Sequence, residues 1–143
     1  MSPVTFAIDT SSEFGRRAER RLDETLLAWL VTVDRRGTPQ PVPVWFLWED
    51  GSVLLYSRPG KPKLRNIAAN PRVSLHLDGD GGGGDVVVVN GSAAATDDVP
   101  ASQVPAYVAK YAGLIERNGW TPDSFAADYS VPMRIAVDRV RGH

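Results

Sequence analysis

The sequence predicts a mainly β domain with flanking helices, in the form of a six-stranded antiparallel barrel whose ends are closed by helices. Three observations carry that prediction. Short apolar runs rich in Val, Leu and Trp recur at close intervals and are bounded by Gly, Pro or Asp turn signals. Helical periodicity is confined to a few short stretches. Pro39, Pro41 and Pro43 alternate along one extended segment, which marks it as a sheet edge.

The elements follow in order. Ser11-Ser12-Glu13-Phe14 opens a first helix running to about Leu22, with serine as N-cap and Arg16, Arg17, Arg20 and Arg21 on an exposed face. From Leu26 the apolar run Leu-Leu-Ala-Trp-Leu-Val-Thr-Val reads as a buried strand, and Asp34-Arg35-Arg36-Gly37 as a hairpin turn. A second strand spans Thr38 to Trp48, Glu49-Asp50-Gly51 turns the chain, and Ser52 to Ser57 forms a third. In a meander the second and third strands pair with each other.

A Pro/Gly turn then leads into a helix of about two turns. Pro62 suits its first turn, Leu64, Ile67 and Ala68 share a face, and Asn70-Pro71 ends it. Val73, Leu75 and Leu77 alternate in a fourth strand, and Asp78 to Gly84 is a glycine-rich loop. Val86 to Ala95 is a fifth strand. Val104 to Arg117 carries Tyr107, Val108, Tyr111 and Ile115 at helical spacing and stops at Asn118-Gly119. A short helix near Pro122 to Tyr129 precedes a last strand, Met133 to Val140.

Composition narrows the function classes. At 143 residues the chain, residues 1–143, reads as a single domain. Without cysteine it has no disulfide framework, thiol nucleophile or cysteine metal site. A net charge of -1 and a pI near 6.1 argue against broad nucleic-acid binding. Met1 to Asp9 shows no basic leader followed by an apolar run, and no membrane-length apolar stretch occurs, so a cytoplasmic protein with no membrane partner is expected.

The charge is nevertheless uneven. Gly51 to Leu77 holds five basic residues, Arg58, Lys61, Lys63, Arg65 and Arg72, and no Asp or Glu. A helix N-terminus favours acids, yet this one gathers Lys61, Lys63 and Arg65. A solvated cationic face and a phosphate site both fit; free N–H groups, the helix dipole and lysines on a glycine-containing turn favour an anion. The proline strand adds a second feature. Its outer edge lacks three amide donors in a row, either as protection against aggregation or as a rim open to a flat ring, with Trp45, Phe46 and Trp48 just downstream.

The motifs Trp29-Leu30-Val31-Thr32-Val33, Gly37-Thr38-Pro39-Gln40-Pro41-Val42-Pro43-Val44-Trp45-Phe46, Tyr56-Ser57 and Lys63-Leu64-Arg65-Asn66-Ile67-Ala68-Ala69-Asn70-Pro71 together resemble the pyridoxamine 5'-phosphate oxidase-like, FMN-binding split-barrel superfamily. Within it they resemble the branch that uses the deazaflavin coenzyme F420. The resemblance covers almost the whole chain. It implies a split β-barrel, a homodimer, cofactor sites at the subunit interface, and a small-molecule substrate. Lys61 and Lys63 match the family's basic pair, which holds the cofactor's phosphate and acidic tail. Gln40, Pro41, Val42, Pro43, Val44 and Trp45 match its ring-supporting strand, and Tyr56, Ser57 and Asn66 complete the implied cofactor-binding set. FMN-dependent members usually carry an arginine where this sequence offers Gln40 to Trp45, so the resemblance favours F420, with FMN the alternative cofactor.

The implied activity is hydride transfer from reduced F420 to a small conjugated acceptor such as a quinone or biliverdin. The alternatives are a pyridoxamine phosphate oxidase-like enzyme and a carrier of a flavin or tetrapyrrole. The ring would do the difficult chemistry, so no catalytic residue is assigned, although Tyr129 is a candidate proton donor. His76 reads as structural, and the Asp78 to Asp85 loop as a mobile hairpin rather than a metal site.

Overall fold

The computed structural model describes residues 6–143; Met1 to Thr5, which the leader reading included, lie outside the described residues. Seven antiparallel strands form one sheet. In chain order the elements are α1 (Glu13–Glu24), β1 (Ala28–Val33), β2 (Pro39–Val44), β3 (Leu47–Glu49), β4 (Ser52–Ser57), α2 (Pro62–Ala69), β5 (Arg72–Leu77), β6 (Val87–Ala95), α3 (Pro105–Arg117), α4 (Pro122–Asp128) and β7 (Val131–Gly142). The strand order is β2-β1-β5-β6-β7-β4-β3. β2 and β3 therefore sit at opposite edges, yet only Trp45 and Phe46 connect them. Two residues span so little that the sheet must curl until its edges nearly meet. That is a split barrel.

The proline edge lies where the sequence places it. β2 pairs only with β1, and Pro39, Pro41 and Pro43 stand opposite Val33, Val31 and Trp29. The missing amides thus face outward, away from the ladder. The single long strand expected from Thr38 to Trp48 is instead two, which is why the barrel has seven strands rather than six. Only Leu47 to Glu49 pairs with β4, so the pairing of the proline segment with Ser52 to Ser57 is corrected. The cause lies 65 residues away. The N–H of Phe46 donates to Tyr111 Oη at 2.7 Å, and the Phe46 carbonyl accepts from Lys110 Nζ at 2.8 Å. Side chains of α3 thereby take the backbone groups that a continuous strand would have used.

Two cores flank β4. Val53 and Leu55 face the barrel interior with Leu30, Phe46, Leu75 and Ile135, while α1 contributes Ala18 and Leu22. Leu54 and Tyr56 point the other way, into a second core built by Tyr107, Tyr111, Ile115 and Phe125 of α3 and α4. A strand buried on both faces has no polar alternation, which accounts for the run Val53-Leu54-Leu55-Tyr56. No helix among the described residues is long and apolar enough to cross a membrane.

Candidate functional site

α2 is set in place by one polar bond and one apolar anchor. Asn66 Nδ2 donates to Thr32 Oγ1 of β1 at 3.0 Å, and Ile67 is buried in the barrel core. The helix start, with Lys61 as N-cap and Pro62 behind it, then overhangs the proline edge. Gly60, at φ +75°, makes the turn that delivers it. The first turn holds no acid and Lys61 makes no side-chain cap. Pro62 has no N–H, and the Leu64 N–H goes to the Lys61 carbonyl at 3.0 Å. The anion-attracting character therefore comes from side chains and the helix dipole more than from free amides.

Between α2 and the β1/β2 hairpin lies a cleft of about 730 Å³. Lys61, Lys63 and Arg65 of the α2 region and Arg35 and Arg36 of the hairpin line it, together with Gln40 and Val42. Its one acid, Asp34, accepts hydrogen bonds from the Thr38 and Arg36 N–H groups and from Gln40 Nε2, at 3.0, 2.9 and 3.1 Å. Those bonds, the Thr38 amide first, hold its carboxyl below the usual range, so it is ionised and fixes both the turn and Gln40. The cleft still carries a clear excess of positive charge. Lys63 is half-buried; burial, and then the Lys61 charge, lower its pKa. An ammonium so placed gains from an anionic neighbour.

The other two cations of the basic segment go elsewhere. Arg58 lies over the Tyr129 ring, 5.1 Å from its centroid, and Arg72 pairs with Asp138 at 2.5 Å. The segment is thus split between a cleft, a cation–π contact and a sheet-surface ion pair.

Lys63 also lines a second cavity, of about 310 Å³, whose walls are aromatic. Pro43, Val44 and Trp45 line it together with Tyr56, Tyr107, Trp120, Phe125 and Tyr129, and Leu27 and Asn118 complete the lining. Trp45 stacks on Tyr111 (centroids 4.6 Å apart, planes 3° apart) and on Phe125 (5.1 Å, 16°). Phe125 in turn stacks on Tyr129 at 4.6 Å. Tyr56 Oη donates to the Val99 carbonyl at 2.7 Å, and burial pushes its phenol up to about 12.

Most of the sequence-predicted site residues fall into two groups. Gln40, Val42, Lys61, Lys63 and Asn66 line the cationic cleft; Pro43, Val44, Trp45, Tyr56 and again Lys63 line the aromatic pocket. Pro41 is exposed and lines neither. Ser57 is fully buried, and its Oγ donates to the Arg58 carbonyl at 2.8 Å. Asn66 spends its amide on Thr32, so it also positions the helix. Sequence reasoning missed Arg35 and Arg36, read only as a turn, and Tyr107, Trp120 and Phe125. The density of aromatic residues from Tyr107 to Tyr129 was the available signal. His76 sits mid-strand opposite Trp29 and Val88 and lines neither cavity. In the glycine-rich loop, Asp80 Oδ1 accepts the Gly82 and Gly84 amides at 2.8 and 2.9 Å.

The sequence profile of the pyridoxamine 5'-phosphate oxidase family matches residues 14–143. The chain belongs to that family. No curated protein matches it significantly. Among solved structures it is similar to an F420 reductase at 27% identity and a TM-score of 0.62, covering 86% of this chain and 94% of that one. A FAD-binding protein from Mesorhizobium loti shares 25% identity at a TM-score of 0.61, over 87% and 90% of the two chains. The conserved hypothetical protein Rv2991 from Mycobacterium tuberculosis shows the same fold at 23% identity and a TM-score of 0.67, over 97% and 88%. In this member of the pyridoxamine 5'-phosphate oxidase family the cleft and the pocket share Lys63 as a lining residue.

Proposed function

We propose that this chain is a reductase that binds coenzyme F420 and passes a hydride to a small conjugated acceptor of the quinone or biliverdin type. The observation that carries the reading is that Lys63 belongs to both a cationic cleft and an aromatic pocket. A molecule with a polyanionic end and a planar ring spans that junction.

The donor set fits the group. Lys61, Lys63, Arg65, Arg35 and Arg36 present five cations, whereas a phosphate monoester carries a charge of only about −2. A phosphate followed by an acidic tail uses such a cleft more fully than FMN does. Lys61 and Lys63 would hold the phosphate, Arg35, Arg36 and Arg65 the tail, and Gln40 and Val42 would lie beside the ring. A reduced deazaflavin bound there would supply hydride-donor chemistry. The chain's own contribution is binding, orientation and the exclusion of water by the aromatic walls. The exposed side chains of Leu26, Leu27 and Val99 support a homodimer, with Leu27 at the pocket wall placed for a second copy to cover.

Titration of the protein with F420 and with FMN tests the cofactor, and incubation with reduced F420 and a panel of quinones and biliverdin tests turnover. Tighter F420 binding and acceptor-dependent oxidation of the cofactor are expected. Tighter FMN binding overturns the cofactor assignment, and F420 binding without oxidation above background makes the protein a carrier.

A further inference from the structure

Two neighbouring side chains of α3 divide the backbone of Phe46 between them. Tyr111 Oη accepts the Phe46 N–H at 2.7 Å and gives its own hydrogen to the Leu26 carbonyl, also at 2.7 Å. A hydroxyl has one hydrogen, so the Phe46 carbonyl is left to Lys110, whose Nζ donates to it at 2.8 Å and lies 3.5 Å from the Leu22 carbonyl near the end of α1. The same ammonium stands over the Phe46 ring, 3.8 Å from its centroid. Lys110 thus ties α1 and α3 to the two-residue linker between the barrel's edges.

Trp45 is the other residue of that linker. Its ring lies flat on Tyr111 and lines the aromatic pocket, and Leu27, next to the bonded Leu26 carbonyl, lines the pocket too. A shift at Phe46 is therefore passed to the pocket wall.

Lys110 is a half-buried cation. Burial pulls its pKa down to about 8, while Asp23 of α1 faces it and favours the charged form; Glu24 and Asp50 in turn act on Asp23. Tyr111, beside it on α3, is pushed by burial far above the ordinary phenol range and stays protonated. A charged Lys110 needs its carbonyls, because an ammonium taken out of water is costly unless it is bonded. A neutral amine donates more weakly and loses its attraction to the ring. The Tyr111 half of the clamp is fixed, and the Lys110 half depends on a proton.

We propose that Lys110 is a positioning residue for the aromatic pocket: its ammonium, by holding the Phe46 carbonyl, keeps Trp45 seated against Tyr111, and release of its proton loosens the wall that orients the ring. The orientation of a ring rests on the cofactor reading above; the seating of Trp45 does not. On that reading the cations of the cleft carry the affinity, so Lys110 acts on turnover rather than on binding.

The test uses the full chain labelled with 5-fluorotryptophan, its four tryptophan signals followed by fluorine NMR between about pH 6.5 and 9.5, with Trp45→Phe assigning one of them. The Trp45 signal should move with a midpoint near pH 8. Lys110→Met should hold it at the alkaline position throughout, Lys110→Arg should hold it at the acid position because a guanidinium keeps its charge, and Lys63→Ala should leave the transition in place. Asp23→Asn, exposed on α1 and leaving α3 untouched, should lower the midpoint by removing the charge that favours the ammonium. With reduced F420 and 2-methyl-1,4-naphthoquinone at neutral pH, Lys110→Met should lower kcat about three- to tenfold at unchanged F420 affinity, and Lys110→Arg should restore it. A Trp45 signal that does not move, a transition that survives in Lys110→Met, or a midpoint unchanged in Asp23→Asn overturns the proposal. Equal kcat in the parent and Lys110→Met overturns the part concerning the ring. If the parent neither binds F420 nor turns it over while the Lys110-dependent movement of Trp45 persists, the reductase reading falls and the seating of Trp45 by Lys110 stands.

Discussion

Asn66 Nδ2 donates to Thr32 Oγ1 at 3.0 Å, tying the middle of α2 to β1 through a side chain that is 1% exposed. This bond fixes where Lys61 and Lys63 sit above the proline edge. Thr32→Val keeps the shape and removes the acceptor. Denaturant unfolding should show a loss of about 0.5–1.5 kcal/mol, and affinity for F420 should drop with it. Parent-like values for both would show that α2 is held by Ile67 packing alone.

Lys63 gives the cleft a pH signature. Burial and the neighbouring Lys61 charge lower its pKa in the free protein, and a bound anion raises it again. Protons are therefore taken up on binding at alkaline pH, and affinity falls as pH rises through the free-state pKa. Calorimetric titrations of F420 in buffers of different ionisation enthalpy should detect that uptake, and Lys63→Ala should abolish it. A buffer-independent enthalpy for the parent would place the anion away from Lys63.

Asp98 governs part of the acid limb of stability. Its carboxylate accepts from Arg134, with Arg134 Nη2 at 2.8 Å, and also from Thr96, and these bonds hold its pKa below 3.8. The folded state binds this proton less tightly than the unfolded chain. The stabilisation is thus present above the unfolded pKa and is lost as pH falls through the folded one. Thermal melts of Asp98→Asn should lie below the parent at neutral pH and converge toward it in strong acid. Parallel curves at all pH values would mean the pair contributes no linkage.

Tyr111 decides the break between β2 and β3. Tyr111→Phe leaves the buried Phe46 N–H without its partner and should cost about 1–3 kcal/mol in unfolding free energy. A cost near zero would show that the break is imposed by something other than this bond.

Much of the site was legible because it obeys local rules. Pro39, Pro41 and Pro43 announce an outward-facing edge by lacking amides, and Pro62 with Asn70-Pro71 brackets α2 to within a residue. The cation cluster at Lys61 and Lys63 needs only charge counting. What was not legible depends on contacts distant in sequence. No pattern near Phe46 shows that Tyr111 and Lys110 will capture its backbone, so the sequence predicts one strand where two exist. Gln40 and Lys61 meet because α2 docks on β1, not through the hairpin the sequence suggested. Periodicity marks Tyr107 and Tyr111 as one helix face but cannot distinguish a hydroxyl that is paired from one that is not.

The central claim is that the cations at the start of α2 grip the anionic end of a redox cofactor. A crystal structure of the protein with F420 tests it most directly. The phosphate is expected against Lys61 and Lys63, with the ring leading along Gln40 and Val42 toward Trp45. F420 bound elsewhere, with both ammonium groups turned to solvent, would contradict it.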